Sequence, residues 1–242
     1  EYRRQRQMCI RDRFQTAVRL SHEKRVTGCI FLGGRIDERA HVLKGIDMPM
    51  VFATISAAHA DLPKAGSVFI DDRSMGFAAM QTLINAGHTK IAIFGGDRQG
   101  DDGFALRYNG AMDALTAAGI PFDEERYVDT RFSLKGAYDT ARGFFAVKPD
   151  TTAVFAMSDT VAMGVIRALQ DTGRKVPEDV SVVGYDGIEM GKYFIPRLTT
   201  VEQPVDDIAR ESVQVLMDML ERGEAPRHII VEAKLQKRES VR

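Results

Sequence analysis

The sequence predicts an α/β protein built on doubly wound parallel sheets, and three observations predict it. Short apolar runs alternate with longer segments whose apolar residues recur at helical spacing. Most of the runs are continuous in Val, Ile and Phe rather than alternating, as when both faces of a sheet are covered. Short polar side chains open the segments between the runs and glycines close them, the usual marks of helix ends. Strand–helix alternation of this kind implies parallel strands joined by right-handed crossovers.

In chain order, the opening EYRRQRQMCIRDR fits no element, and a helical pattern becomes convincing only at Phe14, with Ala17 and Val18 on the same face. Strands are expected at 28–32, 50–54, 68–70, 90–94, 127–130, 152–156 and 180–184. Ser74 is placed to cap a helix carrying Phe77, Met80, Leu83 and Ile84, with Gly87 as its stop. A second helix runs over 106–118 and a third over 133–147. Ser158 or Asp159 caps a fourth, which carries Ala162, Val165, Ile166 and Leu169 and ends at Gly173. The last, 205–221, places Ile208, Ala209, Ser212, Leu216 and Leu220 on one face. There are no repeats and no low-complexity segment.

Composition narrows the function. The 242 residues suffice for one large domain or two small ones. With 33 basic and 34 acidic residues the net charge is -1, so the chain lacks the basic excess of a nucleic-acid-binding surface. Two cysteines, Cys9 and Cys29, are too few for a disulfide framework, and a reducing cytoplasm is the expected compartment. No run reaches the length of a membrane span. The five histidines show no metal spacing, and no serine sits in a nucleophile elbow. The expectation is a chain with no catalytic residues, no metal and no cofactor.

Open parallel sheets take their ligands at the carboxyl ends of their strands. The residues there are Asp71 after 68–70, Arg107 in the segment after 90–94, Phe132 after 127–130, Ser158 and Asp159 after 152–156, and Asp186 after 180–184. Each has a plainer reading: a solvated turn for Asp71, a surface pair with Asp101 or Asp102 for Arg107, core packing for Phe132, a helix cap for Ser158 and Asp159, a structural residue at a strand end for Asp186. Gly95, Gly96 and Gly100 lack the spacing of a dinucleotide fingerprint. Charged and hydroxyl groups with one or two aromatics suit a small polyhydroxylated ligand.

The same residues carry a family resemblance. The stretches AGHTKIAIFGG (86–96), RYNGAMDAL (107–115), AVFAMSDTVAMGVIRALQDTGRKVPEDVSVVGYDGIE (153–189), PRLTTVEQP (196–204) and LQKRES (235–240) follow one another as they do in the LacI/GalR family of transcriptional regulators. The chain resembles the effector-binding domain of that family from about Val26 onward. The resemblance implies two lobes of the periplasmic-binding-protein-like type I fold with a small effector, a sugar or related metabolite, in the cleft. The lobes are expected at 1–87 with 205–232, its first strands missing, and at 88–202 with 233–242. It implies effector contacts at Arg107 and Asp186, a stacking aromatic near Phe132, and a departure at Ser158, where many members carry asparagine. It also implies a homodimer to which the helix at 74–86 contributes, and operator DNA as a partner only through a helix-turn-helix domain that this chain lacks. Loss of Arg107 or Asp186 is expected to spare folding. The alternative is a periplasmic sugar-binding protein of a transporter, which shares the fold. An enzyme is the least supported reading.

Overall fold

The computed structural model describes residues 13–23, 26–36, 38–98 and 103–242. It divides into two compact units, Glu1–Ile70 with Pro204–Glu232, and Asp71–Gln203 with Ala233–Arg242. The chain therefore passes from one unit to the other at 70–71, 203–204 and 232–233.

In the first unit, helix α1 (Arg13–His22) precedes strands β1 (Cys29–Leu32), β2 (Met50–Ala53) and β3 (Ala65–Phe69), with a 3-10 segment, Glu38–Gly45, between the first two. Helix α7 (Val205–Glu221) and strand β9 (His228–Ile230) return from the other unit. The four strands lie in the order β1-β2-β3-β9, all parallel. Phe14 of α1 meets Phe31 edge-on, and Phe31 stacks on Phe52, at centroid distances of 5.3 and 4.9 Å. With Leu43, Met48, Met50 and Ala65 these rings form the core on one side of the sheet. Helix α7 packs against β1, β2 and β3.

The second unit holds helix α2 (Asp72–Asn85), β4 (Ile91–Gly95), α3 (Gly103–Ala117), β5 (Tyr127–Asp129), α4 (Leu134–Val147), β6 (Ala153–Ala156), α5 (Asp159–Asp171) and β7 (Ser181–Asp186). A single helical turn α6 (Met190–Tyr193), β8 (Thr199–Glu202) and β10 (Lys234–Gln236) complete it. The sheet order is β10-β8-β7-β6-β4-β5, parallel throughout except for β10 at its edge. Side chains alternate across it. Ala92, Phe94, Val154, Ala156 and Val182 pack under α4 and α5. The alternate set, Ile93, Phe155, Val183 and Tyr185, is equally buried, and α2 packs on β6 and β7 while lying along α3.

The observed fold is the expected α/β architecture with parallel sheets, and it differs from the reading of the residues in four places. The first helix of the second unit is capped by Asp71, whose carboxylate accepts from the Ser74 N–H at 3.0 Å and the Ser74 hydroxyl at 2.5 Å, so Ser74 lies inside the helix. A longer acceptor at the true N-cap outcompetes the serine three residues on. Strands β8 and β10 carry no continuous apolar run and are held by pairing to a neighbour. Strand β3 starts three residues earlier than 68, because Ala65, Gly66 and Ser67 are too small to give a strand signal. The boundary between units falls at Ile70 rather than at 87, because α2 packs along α3. Of the opening thirteen residues, 1–12 lie outside the described residues.

Candidate functional site

The carboxyl ends of β4, β6 and β7 come together in the second unit, and the residues around them are fixed by a close helix contact. A Cβ on Gly76 of α2 would collide with the Arg107 backbone of α3, and a Cβ on Gly110 would collide with the Arg73 carbonyl. Two glycines let the helix backbones touch, which places Asp72, one turn before Gly76, beside Arg107.

Arg107 is buried, with its side chain 10% exposed. Its Nε donates to Asp72 Oδ1 at 2.8 Å and its Nη1 donates to the Met157 carbonyl at 2.8 Å. The guanidinium lies 3.7 Å from the centre of the Tyr185 ring, whose hydroxyl donates to the same Asp72 oxygen at 2.8 Å. Asp186 Oδ1 stands 3.6 Å from Nη1. Burial works against the Arg107 charge, but Asp72, Tyr185 and Asp186 outweigh it and hold its pKa above the ordinary value. The partner of Arg107 is thus Asp72, 35 residues away. The expected partners Asp101 and Asp102 lie outside the described residues. This arrangement argues against the expectation that loss of Arg107 spares folding, because removing one member of a buried pair leaves an uncompensated charge.

Asp186 ends β7 with φ of 106°, in the region that side chains rarely adopt, and Gly187 follows at 72°. Its Oδ1 accepts from Gln203 Nε2 at 2.8 Å, and its carbonyl accepts from the Gln203 N–H at 3.2 Å. Among the described residues nothing donates to Oδ2. The side chain is 30% exposed. Burial raises its pKa, opposed by Arg107 and Gln203. A carboxylate buried to this degree, aimed by strained backbone and with one oxygen open, is poised to accept hydrogen bonds from a ligand.

The other expected residues divide. Ser158 is buried and caps α5, its Oγ accepting from the Val161 N–H at 3.2 Å. Asp159 is fully buried, its oxygens taken by the Thr200 hydroxyl at 2.6 Å and the Ile188 N–H at 2.8 Å. Burial pushes its pKa up to about 6. Phe132, 39% exposed at φ of 52°, packs on Phe104 with centroids 4.3 Å apart. Asp71 is exposed and occupied as a helix cap, and its neighbour Asp72 reaches the network instead. Asp72, Tyr185, Gln203 and Phe104 were missed by the sequence reading. The signal available for Asp72 and Tyr185 was their adjacency to residues already singled out. Among the described residues no group of His, Cys, Asp and Glu could hold a metal ion.

A family model described as a periplasmic binding protein-like domain matches residues 80–241. The HTH-type transcriptional regulator MalR of Clostridium butyricum is 31% identical over 229 residues, covering 93% of this chain and 68% of that protein. The chain belongs to the LacI/GalR family of transcriptional regulators. Another member, the transcriptional repressor PurR of Vibrio atlanticus, is 31% identical over 205 residues, 84% of this chain and 60% of the repressor. Among solved structures, a complex of the transcriptional regulator CelR with cellobiose superposes with a TM-score of 0.81 at 32% identity, over 92% of this chain and 69% of that one. The chain thus spans 60% to 69% of the length of these family members. They are regulators, which favours that reading over a transporter's solute-binding protein. No helix among the described residues is long and apolar enough to cross a membrane.

Proposed function

We propose that this chain is the effector-sensing part of a regulator that binds a small polyhydroxylated molecule, a sugar or a related metabolite, and changes operator affinity in response. It acts without catalysis, in the cytoplasm where operator DNA lies, and contacts that DNA through a separate domain of the full protein. The observation that carries the reading is Asp186, a half-buried carboxylate in strained backbone with Oδ2 open. Adjacent hydroxyls can donate to such a group, and a charge-assisted bond repays part of its desolvation. Phe104, whose ring centre lies 5.5 Å from the Arg107 guanidinium, and Phe132 packed on it offer an apolar surface for a sugar face. The CelR relative holds cellobiose, which supports a sugar as the class.

Effector would control operator binding only by binding two states of the protein unequally. Homodimerisation belongs to the same proposal, supported by Met190, Tyr193 and Ile195, which stand exposed within six residues of the second unit. Helix α2 offers less than expected, since it packs along α3 and leaves Phe77 as its large exposed apolar residue. The test is a thermal-shift screen of the chain against cellobiose, maltose, ribose and free purine bases. A sugar that raises the melting temperature supports the reading. Stabilisation by a purine alone replaces sugar with nucleobase, and no response to any of them counts against a sugar or nucleobase effector.

A further inference from the structure

We infer that Asp159 is a positioning residue: its buried carboxylate holds the left-handed turn that carries Asp186. The inference rests on the reading of Asp186 as an effector contact. Asp159 opens α5, and Gly184 of β7 leaves the space its carboxylate fills, since a Cβ there would collide with Asp159 Oδ1. From that position Oδ2 accepts the Ile188 N–H at 2.8 Å while the Thr200 hydroxyl fixes Oδ1 at 2.6 Å. The two residues before Ile188 are the ones in the left-handed region, Asp186 at 106° and Gly187 at 72°. A non-glycine residue stays in that region only where its surroundings over-determine it.

The surroundings here are two grips. Gln203, the residue after β8, holds Asp186 through its own N–H and its side-chain amide. Asp159 holds the far end of the turn, at Ile188. A fully buried carboxylate with both oxygens engaged does not reach solvent, so it acts on an effector through the turn rather than by contact. Its burial at raised pKa fits a group kept at some cost to the fold.

The experiment compares wild type, Asp159→Asn, Asp159→Ala, Asp186→Ala and the double variant Asp159→Ala/Asp186→Ala. Amide hydrogen exchange is measured at Ile188 without ligand, with Val183 in mid-strand as the internal reference. Loss of a bond to a charged acceptor should speed Ile188 exchange roughly ten- to a hundred-fold in Asp159→Ala. Asp159→Asn, which keeps one acceptor oxygen, should restore part of the protection, and Val183 should not change. Unchanged exchange at Ile188, or equal acceleration at Val183, overturns the inference whatever any sugar does. Cellobiose affinity supplies the second arm: Asp159→Ala should weaken it in the wild-type background and hardly at all once Asp186 is already alanine. Equal losses in both backgrounds also overturn it. If Ile188 responds while Asp186→Ala leaves cellobiose affinity intact, the clamp stands and the effector reading fails.

Discussion

The two ends of the second unit's sheet handle buried polar groups in opposite ways. At the amino ends, buried His88 bridges the Thr152 hydroxyl at 3.0 Å and the Ser181 hydroxyl at 2.9 Å, one residue before or at the start of β6 and β7. Both ring nitrogens are engaged, the partners are neutral, and no residue of the trio has positive φ. At the carboxyl ends, Asp72 and Asp186 flank Arg107, Asp159 lies buried against Thr200 and Ile188, two of the three carboxylates have a raised pKa, and Asp186 sits in strained backbone with an oxygen open. The amino end is a closed structural contact. The carboxyl end carries charge and strain that stability alone would not select, and such residues cluster at functional sites.

The largest effect is expected at Arg107. Arg107→Ala strands the buried Asp72 carboxylate and should cost about 3–5 kcal/mol in urea unfolding; a loss under about 1 kcal/mol would show that the network holds nothing. Asp159 adds a pH dependence. Its folded pKa of about 6 lies above the ordinary value of 3.8, so its proton is favoured in the folded state and stability is lost as pH rises through about 6. Relative to wild type, Asp159→Asn should gain on the order of 3 kcal/mol between pH 4 and pH 7, and a pH-independent difference would contradict the assignment. At the amino end the sign reverses. Burial, then Arg242, lowers the His88 pKa below 6.5, so the unfolded chain binds the proton more readily and stability falls as pH drops below 6.5. His88→Leu should remove that acid sensitivity and cost about 1–3 kcal/mol at pH 8 through the hydroxyls it leaves without their partner. If the acid limb persists in the variant, His88 is not its source.

Much of this was legible in the sequence, and what was not has a physical reason. The continuous apolar runs gave β4, β6 and β7, and the caps Ser133 and Ser158 were readable from their neighbours. Arg107 and Asp186 stood out as charges at strand ends. Their environments did not, because they depend on pairs far apart in the chain: Asp72 with Arg107, Thr200 with Asp159, Gln203 with Asp186. Asp159 looked like a ligand group for the same reason, since only the fold shows that Thr200 of β8 and the Ile188 N–H after β7 occupy its two oxygens. The cap at Asp71 was lost to a nearer-looking serine, and β8 was lost because Thr-Thr-Val-Glu carries too little apolar signal.

Whether Asp186 holds effector is read from Asp186→Ala in a thermal-shift measurement made with and without cellobiose. Removing a half-buried carboxylate whose charge burial disfavours should leave the ligand-free melting temperature near that of wild type, since the Gln203 N–H still holds the Asp186 carbonyl. Losing its bonds to ligand should weaken binding about ten- to a hundred-fold, so cellobiose should stabilise the variant far less than the wild type at equal concentration. Equal stabilisation of both proteins by cellobiose would contradict the claim, as would a variant already unfolded by several degrees without it.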